Sequence, residues 1–431
     1  MRKALALVVA LAACSSGQGA PAQTKVAEPS PSPSPSPSPS PPPSPSPSPP
    51  PAAASAGADF TNEARLLYRV AACGGTDPLP ARIPAKAVDL HCRNILKRMA
   101  DYRARYFEGG HAFFDELVPK GARDVVVYPF GGGDLISALV AFPDAKEITT
   151  ISLELAGDPR RIDTLDRQRL SASLDALRIE IGGLLSTGSN TSENLSASQQ
   201  NDLPAQVSSF LMGLAAGGYE PVAMRFFRLE PDGSIHYLDR AEIDAIEQVQ
   251  TAKGKPTAKG TAKSRKGDWQ SPNFSEAFAN VEIQYRKVGD TQVRVHRHIA
   301  WNLGDRYMDE HPELLRHLEA KGKVTILTKG ASYLLWRPDF SRIRDYMLGH
   351  LAWMLSDSTG IPPMYAAKAG MVQDTYGKFT GPFLAGAEET GKRHADDFRA
   401  LWKKNRFRKL PFRFGYLDAA KQPHLLVTRP R

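Results

Sequence analysis

From residue 124 the chain reads DVVVYPFGGGDLISALVAFPDAKEITTISLE, and its apolar positions fall in short, dense runs. Val125, Val126 and Val127 form a β-branched run, too short and too apolar for anything but a buried strand. Tyr128, Pro129 and Phe130 close it, because Pro129 has no N–H to donate to a sheet ladder. Three glycines follow, Gly131, Gly132 and Gly133, which accept positive φ or let a backbone or ligand come close. Asp134 is positioned to cap a helix over Leu135–Phe142 by accepting its free first-turn N–H groups. Pro143 and Asp144 stop that helix. Glu147–Leu153 then reads as a second strand with Glu154 at its carboxyl end, which completes a strand–turn–helix–strand unit of a parallel sheet.

Further along, the pattern predicts helices over Asp163–Leu185 and Pro204–Leu214, separated by a Ser/Asn/Thr-rich loop at Ser186–Gln200. Ala223–Glu230 and Ser234–Leu238 form a hairpin across Pro231-Asp232-Gly233, a strong turn signal. A short helix at Ala241–Gln250 follows, then antiparallel strands at Ala279–Lys287 and Gln292–Asn302. Val324–Leu327 is another buried strand, Phe340–Leu355 a helix, and strands at Pro411–Tyr416 and His424–Thr428 close the chain. Parallel strands early and hairpins later predict an α/β fold. It is a mixed sheet with a Rossmann-like, methyltransferase-like β-α-β start, antiparallel additions and helices on both faces.

Ligands of open α/β sheets sit beyond the carboxyl ends of strands, so Tyr128, Asp134 and Glu154 face one crevice. Gly131, Gly132 and Gly133 are its candidate ligand-binding backbone. A dinucleotide fingerprint would need glycine at Ile136, so G-x-G-x-x-G fails and the looser glycine turn of a methyltransferase-like domain fits better. Lys329 and Ser332 follow the strand Val324–Leu327 and reach the same end of the sheet, where a desolvated lysine can act as base to a serine. Other chemistry is excluded. The segment from Gly386 to Arg393 nearly fits a P-loop, but Arg393 replaces the metal-binding hydroxyl. No G-x-S-x-G is present. The loops at Asp357-Ser358-Thr359-Gly360 and Asp374-Thr375-Tyr376-Gly377 only faintly resemble those of aspartic proteases. His296 and His298 share one strand face, but no third metal ligand can be named and Arg294 beside them predicts a solvent face.

Tyr128-Pro129-Phe130-Gly131-x-x-Asp134, the Phe142-Pro143-Asp144-Ala145 turn and the strand end Leu153-Glu154 resemble a family of uncharacterised secreted bacterial proteins. The resemblance continues in Lys329-Gly330-Ala331-Ser332-Tyr333-Leu334, in Phe340-Ser341-x-Ile343-Arg344 and in Asp357-Ser358-x-Gly360-Ile361-Pro362. It ends with Leu410-Pro411-Phe412 and Gly415-Tyr416, and so spans roughly residues 60–431. Gly132 and Gly133 stand where the family has Ser and Pro, and Ala156 where it has Pro. What the resemblance implies is export, with no activity attached.

The first residues say the same. Arg2 and Lys3 precede an apolar stretch, Ala4–Ala13, too short to span a bilayer. Leu11-Ala12-Ala13-Cys14 matches a bacterial lipoprotein signal, so residues 1–13 are expected to be removed and Cys14 lipidated, with Ser15 favouring the outer membrane. Several acyl chains on one cysteine give stable attachment. Residues 29–51 alternate proline and serine, cannot build a core, and as extended polyproline II reach roughly 70 Å. Residues 14–57 are therefore a lipid-bearing tether and residues 58–431 the globular domain. Cys73 and Cys92 remain as a pair suited to a disulfide in an oxidising compartment, worth about 3 kcal/mol for a loop of this length.

The formal net charge of +9 is unevenly spread. Residues 253–267 hold six basic residues and no acid, the composition of a flexible basic loop, and residues 392–413 hold nine basic and two acidic ones. The second stretch reads as a basic helix with Phe398, Leu401 and Trp402 inward. Such patches attract anionic envelope polymers without implying specific nucleic-acid binding. S-adenosylmethionine, NAD and ATP are cytoplasmic, so no cofactor is expected. The sequence thus predicts an envelope-anchored lipoprotein with a binding or accessory domain. The alternative is an extracytoplasmic hydrolase or methyltransferase-like enzyme that uses Asp134, Glu154, Lys329 and Ser332.

Overall fold

The computed structural model describes residues 57–187, 202–252, 275–382, 385–415 and 417–431. The expected signal, the lipidated Cys14, almost all of the tether and of the Ser186–Gln200 loop, and the basic loop 253–267 lie outside the described residues. Residues from Ala54 to Arg431 form one compact unit. Among the described residues no helix is long and apolar enough to cross a membrane.

In chain order the elements begin with α1 (Thr61–Val70), α2 (Ala85–Tyr102), α3 (Glu108–Leu117), β1 (Val125–Pro129), α4 (Leu135–Ala141) and β2 (Glu147–Ser152). There follow α5 (Arg167–Thr187), α6 (Ala205–Gly217), β3 (Tyr219–Leu229), β4 (Ile235–Tyr237), α7 (Arg240–Ala252), β5 (Asn280–Lys287) and β6 (Arg294–Ala300). Next come α8 (Asp305–Glu310), α9 (Glu313–Glu319), β7 (Val324–Thr328), α10 (Ser341–His350) and β8 (Leu351–Ser356). The last are α11 (Pro363–Lys368), β9 (Met371–Gly377), α12 (Ala385–Lys404) and β10 (His424–Pro430).

The ten strands among the described residues join one mixed sheet in the order β4-β3-β5-β6-β2-β1-β7-β8-β10-β9. The five central strands, β6, β2, β1, β7 and β8, are parallel. Antiparallel strands extend both sides: β5, β3 and β4 beyond β6, and β10 and β9 beyond β8. Side chains alternate between two cores. Val126 and Tyr128 point into the larger, with α1 to α6, and Val127 into the smaller, with α8 to α11. Burial on both faces explains why Val125–Val127 of β1 reads as an unbroken apolar run and why all five residues of β7 are buried. The Cys73–Cys92 disulfide, Cα atoms 5.3 Å apart, ties α2 to the chain just after α1.

Several elements differ from the sequence pattern. Pro129 does not close β1 but forms its last rung opposite Ile151, where a missing N–H costs least. The helix expected over Phe340–Leu355 stops at His350, and Leu351–Ser356 is β8, filling the place between β7 and β10. An apolar run of that length suits a buried strand or a buried helix equally, and only the sheet decides. The turn expected at Asp374 is within β9. Residues 411–415 form no strand; Phe412 and Phe414 pack edge-on against Phe114 of α3 instead. The basic helix ends at Lys404, and α12 is kinked at Gly391, where a Cβ would lie 2.4 Å from the Trp336 ring.

Candidate functional site

The glycine turn is shaped by protein packing. Phe130 leaves β1 with φ +62°, an unusual conformation for a bulky residue. Gly131 donates its N–H to Ile151 O at 3.0 Å, and a Cβ there would lie 2.8 Å from the Tyr128 ring. A Cβ on Gly133 would lie 2.7 Å from Gln206 Oε1, so this glycine lets α6 approach the turn. Gly132, at φ +51°, faces open space. Two of the three glycines thus serve contacts within the chain.

Asp134 caps α4 by accepting the Ser137 N–H at 3.2 Å. Its other oxygen, Oδ2, accepts from the Tyr128 hydroxyl at 2.9 Å and lies 2.7 Å from Lys329 Nζ. Lys329 also donates to Ser137 Oγ at 2.6 Å. Asp134 is 4% exposed and Lys329 6%, so this ion pair is screened from water. Tyr102 and Tyr128 close the cluster, and burial, then the charge of Asp134, holds both phenols above their ordinary pKa. Position explains the pairing. Asp134 follows β1 and Lys329 follows β7, adjacent parallel strands whose carboxyl ends meet.

A second buried cluster lies one strand further on. Asp357, fully buried after β8, accepts the Gly330 N–H at 3.1 Å and the Thr359 N–H at 2.9 Å. Gly415 lies over it: a Cβ there would be 2.4 Å from Asp357 Oδ2. Ser332 is 0% exposed and its hydroxyl shares a 2.6 Å hydrogen bond with Thr359 Oγ1. Lys329 and Ser332 therefore engage separate partners, Asp134 with Ser137 and Thr359, and the serine–lysine arrangement is not what the side chains form. His424 Nε2 and Ser358 Oγ are 2.8 Å apart, while His424 Nδ1 faces the Gln422 carbonyl at 3.4 Å. This is nucleophile–base spacing, yet Ser358 is 3% and His424 1% exposed, with Phe379 and Trp402 against the imidazole.

Glu154 lies beyond the end of β2, half-buried, away from the Asp134–Lys329 pair in the hydrogen-bond network; its backbone carbonyl accepts from His298 Nε2 at 2.7 Å. The face carrying Arg294, His296 and His298 is buried, contrary to the solvent face expected from Arg294, because α6 covers it with Phe210 4.5 Å from the His296 ring. Both imidazoles share Thr150 Oγ1, at 3.0 and 3.1 Å, and burial pushes His298 down to about 4. Among the described residues no group of His, Cys, Asp and Glu could hold a metal ion. Gln206 Oε1 and the hydroxyls of Ser152, Thr328 and Ser356 are buried without a hydrogen-bond partner among the described residues, the kind of atom an internal water satisfies.

A groove of about 600 Å³ lies elsewhere, between α1 and the disulfide-closed segment after it, lined by Arg65, Arg69, Asp77, Arg82 and Asp163 among others. Arg82 pairs with Asp163 across it. None of the residues expected from sequence to form a site lines this groove. Sequence reasoning also missed Ser137, Tyr102, Asp357 and His424. Of these, only Asp357 carries a local signal, its Asp-Ser-Thr-Gly loop.

No family model, no curated protein and no solved structure matches the chain.

Proposed function

We propose that the chain is an exported, lipid-anchored protein of the bacterial envelope whose α/β domain is a binding or accessory module on a Rossmann-like sheet. The central strands run β6-β2-β1-β7-β8, the third, second, first, fourth and fifth parallel strands in chain order, which supports the Rossmann-like reading. In such sheets the ligand lies at the switch point, here between β1 and β7. The observation that carries the proposal is what occupies that point. The chain's own Asp134–Lys329 pair, Tyr128 and Ser137 fill it, each under 10% exposed. A polar groove on the α1 side offers a concave surface for a partner instead. The Cys73–Cys92 bridge, the Leu-Ala-Ala-Cys14 signature and the resemblance to exported bacterial proteins support the compartment.

The anchor is tested by palmitate labelling in a bacterial host, which should be lost in Cys14→Ser. The domain is tested by a thermal-shift screen of the full chain carrying Cys14→Ser, against S-adenosylmethionine, nucleotides, sugar phosphates, peptidoglycan fragments, lipopolysaccharide and divalent metals. A ligand well above its dissociation constant raises stability by a few kcal/mol. The expected hits are envelope polymers, unaffected by Asp134→Ala once its lower baseline is subtracted. A shift with S-adenosylmethionine that disappears in Asp134→Ala would overturn the proposal. The second reading, a hydrolase, is favoured by the Ser358–His424 contact; fluorophosphonate labelling lost in Ser358→Ala would establish it.

A further inference from the structure

The last turn of α12 and the segment after it run KKNRFRK over residues 403–409, with no acid among them. Lys403, Lys404, Arg406 and Lys409 are all exposed, and none of the four has an ion-pair partner among the described residues. Phe407, in their midst, is 62% exposed. An aromatic ring of that size is normally half or more buried, and here it is held out in water between cations. The nearby acid is already neutralised: Asp374 of β9 is paired with both Arg408 and Arg429. The segment is also held in place. Asn405 Nδ2 donates to Gln373 O at 3.0 Å, and the Gly377 N–H donates to Arg408 O at 2.8 Å. It therefore lies along β9, the outer strand of the sheet, covers the unpaired edge and displays its cations and Phe407 outward.

That edge is opposite to the one where the chain enters the domain. Ala58 donates to Leu238 O beside β4, the outer strand on the other side. Nine strand spacings separate the two edges, roughly 40 Å. The reach of roughly 70 Å expected from the proline–serine composition exceeds this span, so a lipid at Cys14 leaves the far edge free to meet the same membrane. Cations flanking an aromatic side chain match a phospholipid surface, with anionic headgroups for the former and the acyl boundary for the latter.

We propose that residues 403–409 form a second membrane contact, seating the β9 edge on an anionic bilayer with Phe407 inserted at the headgroup boundary. This rests on the reading of the chain as membrane-anchored, and it makes the domain a two-point attachment lying along the bilayer.

Flotation of the full chain carrying Cys14→Ser, which has no lipid of its own, measures the contact. Vesicles of phosphatidylcholine with about 30% phosphatidylglycerol are compared with phosphatidylcholine alone, in low and high salt. The Cys14→Ser chain with residues 403–409 intact should float with the anionic vesicles, weaken as salt rises, and stay behind with the neutral ones. Each neutralised cation should weaken binding about fivefold, so Lys403→Gln, Lys404→Gln and Arg406→Gln together lower it about a hundredfold. Phe407→Ser should lower it about tenfold. Neither variant should change the melting temperature, since the side chains are exposed. Equal binding to neutral vesicles, or a triple variant that floats like the Cys14→Ser chain with the patch intact, overturns the proposal. So does tighter binding to a short RNA or to soluble lipopolysaccharide than to the vesicles. Palmitate labelling of wild type reports separately on the anchor, so a failed anchor and a failed patch are distinguishable.

Discussion

Replacing Lys329 with methionine removes one charge from a pair held at 2.7 Å and leaves the Asp134 carboxylate with only the Tyr128 hydroxyl and the Ser137 N–H. With an effective dielectric constant near 20 the attraction between the two charges is about 6 kcal/mol. Desolvation costs several kcal/mol for each ion, so the pair adds little net stability relative to two apolar residues. Its asymmetry is what matters. Removing one partner strands a buried charge and costs about 3–5 kcal/mol. A domain of about 370 residues has an unfolding entropy of about 0.8 kcal/mol per kelvin, so Lys329→Met should lower the melting temperature by about 4–6 °C. Asp134→Leu with Lys329→Met should recover about 2 kcal/mol of that, remaining about 1–3 kcal/mol below wild type because the Tyr128 hydroxyl loses its acceptor and α4 loses its N-cap. Calorimetry and guanidinium titration of the two single variants and the double variant give the coupling energy directly. If Lys329→Met cost less than about 1 kcal/mol, the pair would not be the buried structural device described above, and a ligand at the switch point would have to be reconsidered.

Acid should destabilise the domain through its histidines. Burial holds His298 and His317 down at about 4, so the folded state binds fewer protons than the unfolded one. Their contribution is fully present above about pH 6.5 and falls as pH drops towards 4, by about 1.4 kcal/mol per pH unit each. His298→Gln should lower the total slope in denaturant titrations by about that amount, while the other histidines depressed by burial, His91, His296 and His424 among them, keep theirs. Gly415→Ala combines φ +62° with a Cβ 2.4 Å from Asp357 Oδ2 and should cost about 2–5 kcal/mol, read as a lower guanidinium midpoint; an unchanged midpoint would mean the 411–415 segment yields freely. Cys73→Ser with Cys92→Ser should lower stability by about 3 kcal/mol, about 4 °C, and reducing agent should do the same to wild type but nothing to the variant.

The sequence by itself determined the elements whose signals are local. The valine run of β1, the Asp134 cap of α4, the short strands β2 and β7 and the hairpin between β3 and β4 each depend on residues within a few positions, and each is found close to where the pattern puts it. The Cys73–Cys92 pairing follows from there being only two cysteines after Cys14. Tertiary structure decided the rest. Leu351–Ser356 is a strand because the sheet has a place for it between β7 and β10, and a short apolar run carries no periodicity of its own to say so. Lys329 meets Ser137 across 192 residues, and Ser358 meets His424 across 66. Which charged residue a buried carboxylate finds depends on which strands lie side by side. Strand order is settled by packing the whole set of apolar faces at once, so Asp134 and Lys329 could be placed at strand ends from sequence but paired only in the fold.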